Sequence, residues 1–161
     1  MPQTPSTLRI LAICTGRIDR PRSGAELRIH HLYRELSQLG HRVDLVSLVA
    51  RNHPTQRLRI ADRFNLCMEH SVWLDLALAL DRVGAVPITE LPGWLRPLRG
   101  WSGRLARQRG YDIVQFEFPW FAALQPAARG PGRVIVYSAH NVEWRWWGER
   151  LLRRPLGRWW R

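Results

Sequence analysis

The first fifty residues confine this chain to one kind of architecture. Leu8 to Cys14 reads LRILAIC, an apolar run with a single charge near its start, as expected of a strand buried on both faces of a parallel sheet. A loop of turn formers and arginine follows. Gly24 to Leu39 then places Ala25, Ile29, Leu32, Leu36 and Leu39 three and four residues apart, the spacing of an amphipathic helix. Ser23 is suited to accept from the free amides of the first turn, and Gly40 to take the left-handed conformation that closes the last one. Val43 to Val49 (VDLVSLV) comes straight after that cap as a second strand. Strand, helix and strand joined this closely make a right-handed crossover unit within a parallel sheet.

The pattern returns later in the chain. Asp112 to Phe118 (DIVQFEF) and Arg133 to Ala139 (RVIVYSA) read as strands, linked by a helical stretch around Trp120 to Ala128. Between the two halves, Leu66 to Leu74 reads as a strand and Asp75 to Val83 as a helix, while Pro87 to Trp101 is punctuated by prolines and glycines. Asn141 to Arg154 is again helical in pattern, and Pro155 ends it. A length of 161 residues suffices for one sizeable core and not for two ordinary domains. The expected fold is therefore α/β: a single Rossmann-like domain over residues 1–161, with a doubly wound, mostly parallel sheet and helices on both faces.

Composition removes several functions. The net charge of +12 comes from 25 basic residues against 13 acids, and every basic residue is arginine. Without lysine there is neither a phosphate-binding Walker loop nor Schiff-base chemistry on a lysine amine. Cys14 and Cys67 form no closely spaced pair, and no charged-then-apolar leader is visible, so a reduced cytoplasmic compartment is expected. The longest apolar stretch, Val72 to Val86, is interrupted by Asp75, Asp81 and Arg82, short of the ~18 uninterrupted residues of a spanning helix. No GxSxG elbow supports a hydrolase. His30 and His31 are neighbours on a helix and diverge by ~100°, so no metal site is expected there.

In a doubly wound sheet, ligands gather at the carboxyl ends of the strands. The loop after the first strand leads to Gly24 at a helix start, where free amides and the helix dipole favour a phosphate. Gly16 and Gly24 do not make the GxGxxG of a nicotinamide enzyme. The last strand runs into His140, Asn141 and Glu143, an imidazole, an amide and a carboxylate within four positions, at a place where cleft residues are expected.

LRILAIC, SGAELRIHHLYREL, GHRVDLVSL, YDIVQFEF and VIVYSAHNVEW, in that order, resemble the N-terminal, acceptor-side domain of family-four retaining glycosyltransferases of the GT-B kind. The resemblance spans nearly the whole chain, and its most specific pieces are Gly24-Ala25 to Arg28, Gly40-His41, and His140-Asn141 to Glu143. It implies that Gly24 and Ala25 approach the donor's phosphates and that His140 faces the transferred sugar as the catalytic group. Arg17, Glu117, Trp120, Asn141 and Glu143 would line the acceptor side or the cleft. The family's donor domain carries two glutamates with seven residues between them, and no glutamate pair here has that spacing. The expected whole enzyme closes a nucleotide-sugar between two domains and passes the sugar to a hydroxyl of a glycan or lipid-linked acceptor, with no cofactor or metal. The donor-binding domain is expected to be absent or supplied by a partner chain.

Two other readings stand beside this one. The chain fits a non-catalytic binding module or truncated fragment. It also fits a membrane-surface binder, because Trp144 to Arg161 holds five tryptophans and six arginines with the single acid Glu149, a composition suited to an anionic lipid interface and a peripheral place at the inner membrane face. A nucleic-acid partner is not expected, since no binding motif accompanies the arginines.

Overall fold

The computed structural model describes residues 7–49, 55–72, 74–76, 79, 99–108, 110–118, 121 and 124–138. Strands β1 (Arg9–Thr15) and β2 (Arg42–Val49) flank helix α1 (Gly24–Gln38), and β3 (Gln56–Ala61) and β4 (Phe64–His70) follow. Helix α2 (Arg99–Gln108) leads to β5 (Ile113–Phe116), and the short helix α3 (Gln125–Ala128) leads to β6 (Val134–Tyr137). The six strands lie in the order β3-β4-β2-β1-β5-β6. All neighbours are parallel except β3 and β4, which are antiparallel. This is the expected doubly wound α/β sheet with one antiparallel edge.

Alternation along the central strands explains why their sequences are mostly apolar. In β1, Ile10, Ala12 and Cys14 join a core with Ile29 and Tyr33 of α1, while Leu11 and Ile13 join a second core with Ala106 of α2 and Ala128 of α3. Helices cover both faces, so a central strand has no polar side to show. Fully burying a side chain such as Ile29 or Phe64 contributes about 1.5–3 kcal/mol.

Four expectations need correction. The buried stripe of α1 is Ile29, Tyr33 and Ser37, with Leu32 and Leu36 at its margin, and Leu39 is 70% exposed. Leu39 is the C-cap, already past the last turn, where Gly40 at φ +95° bends the chain toward β2. The strand placed at Leu66 to Leu74 begins at Phe64 and ends at His70, and helical residues begin by 72, ahead of Asp75, because Ser71 starts them: its Oγ accepts from the Leu74 amide and its carbonyl from that of Asp75. The third correction adds β3 and α2, two elements in the middle of the chain. β3 alternates outward Arg57 and Arg59 with Leu58 and Ile60, which pack against the α1-side core. In α2, Gly103 lets α3 approach: a Cβ there would stand 2.8 Å from the Ala127 carbonyl oxygen. Strand ends are also shorter than DIVQFEF and RVIVYSA suggest, with β5 stopping at Phe116 and β6 at Tyr137. The helical pattern at 141–154 lies outside the described residues.

Candidate functional site

Strand order reverses at β1, whose neighbours are β2 on one side and β5 on the other. The crevice at the carboxyl ends of β1 and β5 is thus the switch point at which such sheets take ligands. Two segments reach it, the loop from Gly16 to Ser23 and the exit of β5 at Glu117.

The loop is braced by one carboxylate. Glu26 Oε1 accepts from the Arg17 amide at 3.0 Å, and Oε2 accepts from the amides of Arg22 at 2.8 Å and Ser23 at 3.1 Å. Ser23 Oγ returns the favour by accepting from the Glu26 amide at 3.2 Å, which completes a capping box. Burial opposes ionisation of Glu26, yet the donors on Arg22, Arg17 and Ser23 outweigh it and hold the carboxyl below its ordinary range. Gly16, at φ +106°, leaves room for this brace, since a Cβ there would stand 2.6 Å from Glu26 Oε1, and its carbonyl accepts from Ser47 Oγ at 2.6 Å. Farther along, His30 Nδ1 donates to the Ile18 carbonyl at 2.9 Å, which ties α1 back to the loop.

With Glu26 in place, the positive end of α1 is already partly answered. The amides of Arg22, Ser23 and Glu26 are used, and that of Leu27 bonds to the Ser23 carbonyl at 2.9 Å. Among the described residues nothing accepts from the amides of Gly24 and Ala25. No atom lies within 4 Å of where a Cβ on Gly24 would be, so a side chain there would meet no neighbour. Arg17 does not extend freely toward it: its guanidinium grips Asp19 through Nε to Oδ1 at 3.2 Å and Nη2 to Oδ2 at 2.6 Å. That grip holds the Asp19 carboxyl below its usual value.

Glu117 follows β5 and is fully buried. Its amide donates to the Ile13 carbonyl at 3.0 Å, and its Oε1 accepts from the Tyr33 hydroxyl and from Gln115 Nε2 at 2.7 Å. Burial, then the charge of Glu117, push the Tyr33 phenol well above its ordinary value. The Cys14 thiol is also pushed up by burial, with Ser47 offsetting part of the shift, so it is no nucleophile. Glu117 therefore fixes α1 to β5 beneath the crevice. Ser138, just past β6, donates its amide to the Phe116 carbonyl at 2.9 Å and so begins beside this cluster.

The sequence-derived site thus divides. Gly24, Ala25, Arg17 and Glu117 come together at the switch point, whereas Trp120, His140, Asn141 and Glu143 lie outside the described residues. Glu26, Tyr33, Gln115 and Asp19 are additional parts of the site. Of these only Glu26 carried a local signal, three residues after Ser23 at capping-box spacing. Among the described residues no group of histidine, cysteine and acidic side chains could hold a metal ion, and no helix is long and apolar enough to cross a membrane.

A family model described as Glycosyltransferase Family 4 matches residues 22–161. Among solved structures, the sucrose-phosphate synthase from Thermosynechococcus elongatus is similar in fold, with a TM-score of 0.64 and 13% sequence identity. The match covers 86% of this chain and 35% of that one, so the chain spans about a third of its length. No curated protein matches the chain in sequence.

Proposed function

Because the chain belongs to glycosyltransferase family 4, we propose that it is the acceptor-side half of a retaining enzyme that moves a sugar from a nucleotide-sugar to a hydroxyl. The observation that carries this reading is the family match over residues 22–161; the open amide pair at the switch point supports it. A pyrophosphate oxygen can accept from the Gly24 and Ala25 amides at the positive end of α1, while Glu26 keeps the loop in shape. Those donors are fixed before the ligand arrives, so they need no reorganisation as negative charge grows on the leaving phosphate. His140 is assigned to the transferred sugar. Trp120, Asn141 and Glu143 are assigned to the acceptor side, and glycans or lipid-linked glycans are the acceptor class. The nucleotide pocket itself belongs to a second domain, in the same or a partner chain.

The test is release of nucleoside diphosphate from a panel of nucleotide-sugars by residues 1–161 alone and by the chain joined to a family donor domain. Turnover is expected only in the joined protein. Turnover by 1–161 alone sinks the division of labour, and none by the joined protein with any donor sinks the transferase reading. In the joined protein, His140→Ala should lower turnover by roughly a hundred- to a thousandfold with an unchanged melting temperature. Lower melting with normal turnover removes His140 from the site.

A second reading concerns placement. The five tryptophans and six arginines of residues 144–161 favour attachment to an anionic membrane surface on the cytoplasmic side. Deleting 144–161 should strongly weaken sedimentation with phosphatidylglycerol vesicles. Unchanged sedimentation refutes this reading.

A further inference from the structure

At the opposite end of the sheet from the switch point, where the parallel strands begin, arginines gather on the face that also carries α2. Arg9 of β1 and Arg42 of β2 are register partners. Adjacent strands lie about 4.8 Å apart, so the two side chains leave the sheet side by side. Like charges placed directly opposite one another destabilise a sheet. Arg59 of β3 and Arg63 of the β3–β4 turn join them around a pocket of about 660 Å³, with Tyr111 and Asn65 in its wall.

The acids nearby do not answer this pair. Asp44 Oδ1 accepts from Asn65 Nδ2 at 2.8 Å and Oδ2 from the Tyr111 hydroxyl at 2.7 Å. Asp62 is taken by Arg59 at 3.2 Å, and Asp112 takes the Arg9 backbone amide at 2.7 Å, not its guanidinium. Arg63 donates to the Gly40 carbonyl. Among the described residues no carboxylate is within ion-pair distance of the guanidinium of Arg9 or Arg42. The Arg9 guanidinium is nonetheless held in place, 6.0 Å from the centre of the Tyr111 ring.

We propose that this pocket is a second anion site, distinct from the crevice, that binds a phosphate-bearing ligand between Arg9 and Arg42. Planar guanidinium forks match phosphate oxygens in pairs, and a bridging dianion relieves the repulsion between two neighbouring cations. Asn65 and Tyr111 keep the oxygens of Asp44 engaged, which limits its repulsion of the ligand. A free pyrophosphate group and an anionic lipid headgroup offer the same chemistry, and the pocket takes either as a phosphate.

The test titrates the full chain with inorganic pyrophosphate by calorimetry at low salt, beside sedimentation with phosphatidylglycerol vesicles. Saturable binding of one pyrophosphate per chain is expected, weakened at least about tenfold in Arg9→Gln/Arg42→Gln and unchanged in Arg34→Gln, an exposed arginine on α1. If vesicles and not pyrophosphate show that dependence on Arg9 and Arg42, the headgroup is the source and the site stands. Arg42→Lys keeps the charge without the fork and should weaken binding less than the double variant, which covers the case in which the double variant does not fold. The proposal fails if neither probe's binding depends on Arg9 and Arg42, or if Arg34→Gln weakens it equally.

Discussion

The two ends of the parallel sheet use charge in opposite ways. At the carboxyl end, Glu26 and Glu117 are turned inward and satisfied, one by three backbone amides and the other by Tyr33 and Gln115. What they leave for a ligand is neutral, the amides of Gly24 and Ala25. At the amino end, Arg9 and Arg42 are turned outward and no described carboxylate meets them. The first end is organised by backbone whose position depends on hydrogen-bonded acids, the half-buried Glu26 and the buried Glu117, so damage there appears first as lost stability. The second is organised by side chains at the surface, so damage there appears as lost binding that is sensitive to salt.

The sharpest way to break this contrast is Glu117→Ala. It strands the buried Tyr33 hydroxyl, which costs about 1–3 kcal/mol, and the half-buried Gln115 amide, which costs less. For a chain of this size the melting temperature should fall by roughly 5–15 °C by circular dichroism. Glu117→Gln, which keeps an acceptor, should recover much of the loss, and Arg9→Gln/Arg42→Gln should not lower melting at all. If the arginine pair costs more than Glu117, the contrast is wrong.

A smaller loss is expected from Gly16→Ala. The residue sits at φ +106°, where a side chain is strained, and the new Cβ would stand 2.6 Å from Glu26 Oε1. Backbone strain of this kind costs about 1–3 kcal/mol, and moving the carboxylate aside frees amides it now holds. A urea midpoint equal to that of the unaltered chain would show that the brace is not needed for folding.

Next in size is acid sensitivity. The folded carboxyls of Glu26 and Asp19 lie below their ordinary values, for Glu26 because its amide donors outweigh burial and for Asp19 because Arg17 bonds it. An acid whose folded value is depressed contributes stability that is fully present above its unfolded value, about 4 for these groups, and is lost as pH falls through the folded value. The urea midpoint should therefore hold from pH 7 to about 5 and fall below about 4. Glu26→Gln should lower the stability at neutral pH by about 1 kcal/mol, and the urea midpoint with it, and flatten the acid slope. A slope as steep as before assigns the acid sensitivity to other carboxyls.

Much of this was legible because local rules and burial agree. LRILAIC and VDLVSLV are mostly apolar on both alternating sets of positions because helices cover both faces, and the α1 termini carry Ser23 and Gly40. β3 was hidden because Arg57 and Arg59 give an edge strand the composition of a loop, although Leu58 and Ile60 keep a period of two. α2 was hidden because Gly100 and Gly103 lower helix propensity, and Gly103 is kept for the approach of α3. In the site, Gly24 is expected from the helix start, and Ala25 only from the family resemblance. The Tyr33–Glu117 bond joins residues 84 positions apart, and no local spacing announces such a pair. The leucine spacing of α1 does not single out Tyr33, which lies one turn beyond Ile29 on the buried face.

The smallest effect on the fold, and the one most telling for function, is expected from Gly24→Ala. Unlike Gly16, this glycine does not have a positive φ, and nothing lies within 4 Å of its would-be Cβ. Alanine is a better helix former and restricts the unfolded chain more, so stability should be unchanged or higher by about 0.4–1 kcal/mol. The added methyl, however, enters the space over the Gly24 and Ala25 amides that the proposed donor phosphate occupies. In the protein joined to a donor domain, KM for the nucleotide-sugar should therefore rise while melting does not fall. A phosphate that merely passes near the helix start would tolerate the methyl, and an unchanged KM in a variant that is at least as stable would move the donor's phosphates away from α1. A fall in stability instead would mean that the open space over Gly24 is needed by the fold itself, and the glycine would then join Gly16 as part of the brace.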